Sequence, residues 1–241
     1  MSRDSVISRR AFGFAAVASA MPLMGSNDRR ILVHGHRGAR ARRPENTLPA
    51  FRYAIEQGVD VLELDVAVTK DNVLVVSHDP LINATICSGP KTGIPIHTLT
   101  LAELNQYDCG AKQNPAFQTQ VPVSGTRVPK LDEVFDLARG TTVHFNVETK
   151  IFADKPELTP DPETFTRMIL DLVKKHGTTL LFSSHSAAEV EEIADRVVLL
   201  EKGRVAAFDT PSRICALAGA PNLEEAAPKL MRLFREREAR A

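Results

Sequence analysis

The chain has 241 residues, equal numbers of basic and acidic side chains and 43% hydrophobic residues. That suits one ordinary globular domain with an appendage, and balanced charge argues against a nucleic-acid partner or an anionic membrane surface. The absence of Trp weakens any case for a base-stacking surface, and no apolar run reaches the roughly 20 residues of a membrane span.

Residues 1–30 differ from the rest. Ser8-Arg9-Arg10-Ala11-Phe12 sets an arginine pair before the apolar stretch Ala11–Val17, and Ala18-Ser19-Ala20 supplies small residues at a cleavage-site spacing. This reads as a twin-arginine-type export signal to the periplasm, the alternatives being a basic N-terminus or an uncleaved anchor. Residues 1–30 are set apart from the fold.

In chain order, Ile31–His34 reads as a short buried strand. Asn46–Gln57 reads as a helix with Leu48, Phe51, Ala54 and Ile55 on one face, stopped by Gly58. Val59–Val68 and Val73–Ser77 read as a second and third strand, and the alternation suggests parallel β/α units. Residues 79–130, with six prolines, read as an insertion over one mouth of the sheet, with a short helix near Leu101–Gln106. Leu131–Ala138 is helical, Thr142–Lys150 a fourth strand, and Pro160-Asp161-Pro162 opens a helix to His176. After Gly177 we expect a strand over Thr179–Ser183, a helix over Ala187–Ala194, and a hairpin of Arg196–Leu200 with Arg204–Phe208. Two helices follow. A hairpin is foreign to a strictly alternating β/α barrel, whose parallel strands need crossovers.

Glu63 and Asp65 stand two apart in an otherwise apolar strand, so both carboxylates face one side. A hard divalent cation, Mg²⁺ or Ca²⁺, offsets the cost of burying them. Salt bridges in a barrel mouth fit the pair equally well. Glu148 and Lys150 repeat the spacing on the fourth strand. His36 and His78 each follow a strand directly, at the carboxyl ends where barrel sites are built. Two histidines facing a cation supply an acid and a base, and Arg37 can hold a phosphate by charge-assisted bonds. Of the three cysteines, Cys87 and Cys109 share one loop-rich stretch and are the better disulfide pair in an exported protein; two separate buried thiols fit as well.

The ordered set His36-Arg37-Gly38, Pro44-Glu45-Asn46-Thr47, Glu63-Leu64-Asp65-Val66, Thr69-Lys70-Asp71, His78-Asp79-Pro80 and Asn146-Val147-Glu148-Thr149-Lys150 resembles the glycerophosphodiester phosphodiesterase family over about residues 31–176. The resemblance implies an α/β TIM-barrel-type fold with a small insertion after the third strand. It implies His36 and His78 as the acid/base pair, a divalent ion on Glu63, Asp65 and Glu148, and Arg37 and Lys150 near the phosphate, with Glu45 supporting. It further implies attack by the substrate's neighbouring hydroxyl, completed by water, giving glycerol 3-phosphate and an alcohol.

A full barrel takes about 250 residues, and only four barrel strands are legible before Gly177. Gly177–His185, Glu189–Val197 and Leu200–Val205 resemble the switch-histidine strand and C-terminal hairpin of ABC transporter ATPases, over about residues 177–241. No G-x-x-x-x-G-K-[ST] loop is present to cradle nucleotide phosphates. The expectation is an incomplete barrel, four β/α units joined to a foreign α/β tail, whose open edges would pair with a second copy. A metal-dependent phosphodiesterase, an inactive fused product and a non-catalytic ABC-type interaction fragment are the functions to separate.

Overall fold

The computed structural model describes residues 31–152, 154–184 and 186–238. The expected export signal lies outside these residues. The chain divides into two compact units, with the division at Leu172/Val173.

The first unit is organised by one strand, β2 (Val61–Val68). It is almost uninterruptedly apolar, and six of its hydrophobic side chains are within 2% of complete burial, the pattern of a parallel strand covered on both faces. β1 (His34–Gly35) lies parallel to its start on one edge, and β4 (His144–Thr149) lies parallel along Val61–Val66 on the other. The expected strand Ile31–His34 shrinks to His34–Gly35. Ile31 is 86% and Val33 55% exposed, because β2 offers hydrogen-bond partners only from Asp60 onward.

β3 (Leu74–Val76) corrects the expectation of four parallel strands. It runs antiparallel to Val66–Val68 and takes over the β1 edge at the carboxyl end of β2. The described sheet therefore has three parallel strands, not four. Among the described residues, β1 and β4 pair with no strand other than β2. Every residue of β4 is at least partly exposed.

Helix α1 (Leu48–Glu56) starts where Thr47 accepts the Ala50 amide and packs Ala50, Phe51 and Ala54 inward. Gly38 makes that docking possible: its φ is +76°, and a Cβ there would lie 2.8 Å from the Ala50 carbonyl carbon. The insertion forms its own small core from Ile82, Ile96, Leu104, Tyr107 and Val128 against Ala67 and Val75. Its helix α2 (Leu101–Leu104) begins with a Thr100/Glu103 capping box. Cys87 and Cys109 are disulfide-bonded within this core. Asp108 accepts the amides of Gly110, Ala111 and Gly125 at 2.7–3.0 Å, tying the following loops together. Helix α3 (Leu131–Leu137) then leads to β4, with the Phe135 and Phe145 rings 4.6 Å apart. Helix α4 (Pro162–His176) follows.

The second unit contains α5 (Ala187–Ile193), the antiparallel pair β5 (Val197–Glu201) and β6 (Arg204–Asp209), α6 (Pro211–Ala218) and α7 (Leu223–Glu238). Lys202 and Gly203 both have positive φ, which gives the two-residue turn a twist matching the strands. Val197 and Leu199 face a core with Ile214, Cys215, Leu223 and Ala226. Thr179–Ser183 is not a strand; Leu181 is 49% exposed, and among the described residues no strand lies in register with this run.

Candidate metal and acid/base site

Glu63 and Asp65 project from β2, and Glu148 stands opposite Asp65 in the β2–β4 register. One carboxylate oxygen from each lies within 4.8 Å of the others. Asp65 is the innermost, at 1% exposure. Its Oδ2 accepts a hydrogen bond from Asn46 Nδ2 at 2.9 Å and lies 3.4 Å from Arg37 Nε. Its Oδ1 forms a salt bridge with Lys150 Nζ at 2.9 Å. Three carboxylates that converge on one point, the innermost of them buried, are a donor set that fits a hard divalent cation.

Charges around the group are balanced locally. Burial pushes the Glu63 carboxyl up, against the hydrogen bond from the Arg37 amide at 2.7 Å, while the Asp65 charge pushes it further up. Burial pulls the Lys150 ammonium down, but its bonds to Glu148, at 2.6 Å, and to Asp65 outweigh that and hold it above its ordinary value. Arg37 Nη1 donates to Glu45 Oε1 at 2.7 Å, and Arg40 lies 3.2 Å from the other Glu45 oxygen. Both Arg37 and Lys150 thus serve the carboxylates in this structure.

The histidines reach this rim by different routes. His36 follows β1, is more than half exposed, and places Nε2 3.8 Å from Glu63 Oε2. Burial, then Arg40 and Arg37, pull its imidazole below the usual value. His78 does not end a parallel strand, as expected; β3 returns antiparallel to the rim, where the Ser77 amide bonds the Asp65 carbonyl at 2.9 Å. His78 Nδ1 pairs with Asp79 Oδ1 at 2.8 Å, and Asn83 Nδ2 donates to Asp79 Oδ2 at 2.6 Å. The bond to His78 holds the Asp79 carboxyl below its usual range, against burial and with help from Asn83. The contact with Asp79 engages Nδ1 and not Nε2 of the His78 ring. Sequence reasoning assigned no role to Asp79, Asn83 or Asn46. Asp79 and Asn46 stand inside motifs already singled out, whereas no pattern marked Asn83.

The family model described as "Glycerophosphoryl diester phosphodiesterase family" matches residues 36–210. The chain belongs to this family. The match continues past residue 176, the limit expected from the motifs. A glycerophosphodiester phosphodiesterase from Caldanaerobacter subterraneus subsp. tengcongensis is 40% identical over 119 residues, 49% of this chain and 45% of that one. One from Bacillus subtilis (strain 168) is 31% identical over 159 residues, 65% and 49% of the respective chains. The chain thus spans about half the length of the curated relatives it matches. A crystal structure from Silicibacter pomeroyi DSS-3 bearing the family's name superposes with a TM-score of 0.53 at 28% identity, covering 61% of this chain and 54% of that one. The family's fold is the α/β TIM-barrel type. No described helix is long and apolar enough to cross a membrane.

Proposed function

We propose that the chain hydrolyses glycerophosphodiesters to glycerol 3-phosphate and an alcohol. The observation that carries this reading is the convergence of Glu63, Asp65 and Glu148, with one carboxylate oxygen from each within 4.8 Å of the others. These three residues would hold Mg²⁺ or Ca²⁺. When bound, such a cation polarises a phosphoryl oxygen and offsets the charge that develops there. His36 and His78 form the acid/base pair. One accepts the proton of the attacking hydroxyl, and the other returns a proton to the alcohol oxygen as its bond to phosphorus breaks. Asp79 and Asn83 orient His78. Arg37 and Lys150 place positive charge beside the phosphate.

The test is glycerol 3-phosphate release from a panel of glycerophosphodiesters, with Mg²⁺ or Ca²⁺ and with chelator, beside His36→Ala and His78→Ala. Cation-dependent release lost in both variants supports the reading; release that survives both variants rules it out.

A second reading, an incomplete barrel without turnover, is favoured by the strand edges of β1 and β4 that no other described strand covers and by the half-exposed β4. An ABC-ATPase-like origin of residues 177–241 rests on the sequence resemblance of Gly177–His185, Glu189–Val197 and Leu200–Val205, while the family match to residue 210 counts against it. In this reading the open edges pair two copies of the chain, and a folded, soluble dimer without release in the same assay is its signature. Export to the periplasm rests on the arginine pair of Ser8–Phe12, the apolar stretch Ala11–Val17 and the small residues Ala18-Ser19-Ala20; a reporter that fails to leave the cytoplasm behind residues 1–30 removes it.

A further inference from the structure

Two guanidiniums share one buried carboxylate at the rim. Glu45 meets Arg37 Nη1 through Oε1 at 2.7 Å and Arg40 Nη2 through Oε2 at 3.2 Å. Arg37 reaches further inward, with Nε 3.4 Å from Asp65 and 12% of its side chain exposed. Arg40 has no second carboxylate among the described residues, and 23% of its side chain is exposed. Its Nε is buried without an acceptor, and Asn114 Nδ2 lies 3.5 Å from the Glu45 oxygen that Arg40 uses. A guanidinium carries five N–H donors, more than one shared oxygen can take.

The side chain is nonetheless held in place. The Arg40 guanidinium lies over the Phe117 ring, 4.8 Å from its centroid. Gln120 is buried and donates from Nε2 to the Arg40 and Arg43 carbonyls at 2.7 and 3.2 Å, while its Oε1 accepts the Asn114 amide at 2.8 Å. The insertion thus fixes both the backbone and the side chain of Arg40. Its neighbours in the basic run are placed differently: Arg42 is exposed, and Arg43 lies over the Tyr53 ring. Arg40 instead faces the site, where its charge acts on the His36 imidazole more strongly than that of Arg37.

The local charge balance indicates what Arg40 can take. With every group ionised, Arg37, Arg40 and Lys150 stand against Glu45, Glu63, Asp65 and Glu148. The group is then one charge short of neutrality, and a bound divalent cation turns that deficit into a single positive charge. A phosphodiester is a monoanion and matches it. Without Arg40 no positive charge would remain to match.

We infer that Arg40 is a further substrate-binding residue, a second guanidinium whose spare N–H groups hold an oxyanion of the phosphate ester at the mouth of the site. The identity of the ester rests on the hydrolase reading above; the capacity to hold an anion rests on the contacts of Arg40 itself.

Binding of sn-glycerol 3-phosphate to the full chain, measured by calorimetry with Mg²⁺ present, tests the inference without requiring turnover. Arg40→Met keeps an aliphatic stem over Phe117 and leaves Glu45 paired with Arg37. It should weaken binding roughly tenfold, the scale of a lost hydrogen bond to a charged group. Arg40→Lys keeps the charge and a partner for Glu45 but loses the planar fork, and should weaken binding roughly threefold; it decides the matter even if the Met variant does not fold. Arg42→Met removes the same charge from the same loop at an exposed position, where salt screens it, and should stay within about twofold of the wild type. Mg²⁺ binding measured without the ester should not weaken in any of the three. Ester binding unchanged in both Arg40 variants, an equal loss in Arg42→Met, a parallel loss of Mg²⁺ affinity, or no binding of the ester by the wild type overturns the inference. Arg40-dependent binding in a chain that cleaves no diester keeps the anion site and removes the hydrolase reading. Cleavage and ester binding that are both unaltered in Arg40→Met do the reverse.

Discussion

β2 and β4 are hydrogen-bonded neighbours that each bring acid to the same site, yet they hold it differently. β2 is covered on both faces, and Asp65 is fastened by Asn46 with Arg37 and Lys150 beside it. β4 is half-exposed along its length, and the Glu148 side chain is 43% exposed, with Lys150 as its salt-bridge partner. The same residue type thus has a rigid, costly place on one strand and a loose, replaceable one on the next. The cation site should be anchored by β2 and completed by β4.

Substitution at Asp65 breaks this asymmetry most severely. Asp65→Asn leaves Arg37 and Lys150 near the core without their shared carboxylate, a loss on the scale of about 3–5 kcal/mol for a broken buried pair. We expect a large drop in the denaturation midpoint and no measurable Ca²⁺ or Mg²⁺ binding by calorimetry. The insertion that supports the β2 side comes next. Replacing Cys87 and Cys109 with Ser releases a cross-link of 22 residues' separation and should lower unfolding stability by roughly 3 kcal/mol. Cation affinity at low denaturant should stay near its original value, because neither cysteine touches the three carboxylates. Glu148→Gln tests the β4 side. It should weaken cation binding by roughly tenfold, the scale of about 1.4 kcal/mol, with a change in stability inside the range of about 0.5 kcal/mol typical of surface substitutions. A Glu148 variant as destabilised as the Asp65 variant would erase the distinction between the strands.

The smallest effect is a pH dependence in the insertion. Burial raises the Asp108 carboxyl, but the Gly125, Gly110 and Ala111 amides hold it below its ordinary value of 3.8. A depressed carboxyl contributes stability that is present above 3.8 and is lost as pH falls through the lower folded value. The stability difference between the wild type and Asp108→Asn should therefore be steady near neutrality and shrink below pH 3.8. A difference that grows on acidification has the wrong sign for this account.

Much of the site was legible because its residues obey local periods. The spacing of Glu63 and Asp65 placed both on one side of β2, and Glu148 with Lys150 repeated the pattern on β4. The hairpin around Lys202-Gly203 was legible for a similar local reason, since that turn needs residues tolerant of positive φ. What was not legible depends on neighbours. Val73–Ser77 reads as a strand in either direction, and only its pairing with Val66–Val68 shows that His78 returns to the rim on an antiparallel path. Thr179–Ser183 has strand-like composition but, among the described residues, no strand that pairs with it. The contacts of Arg37 with Glu45 and Asp65, and the Asp79–Asn83 clamp on His78, arise from side chains brought together by the loops after β1 and β3, which have no period to read.

The most direct test follows the phosphorus itself. ³¹P NMR of the purified chain with glycerophosphoglycerol, first in excess chelator and then after Mg²⁺ or Ca²⁺ is restored, separates diester from monoester in one sample. The account predicts a phosphomonoester resonance that grows only once the cation is present, and not at all with Asp65→Asn. A diester that persists in the folded, cation-bound wild type, or that is cleaved in chelator, would contradict the claim that Glu63, Asp65 and Glu148 assemble a working phosphodiesterase site.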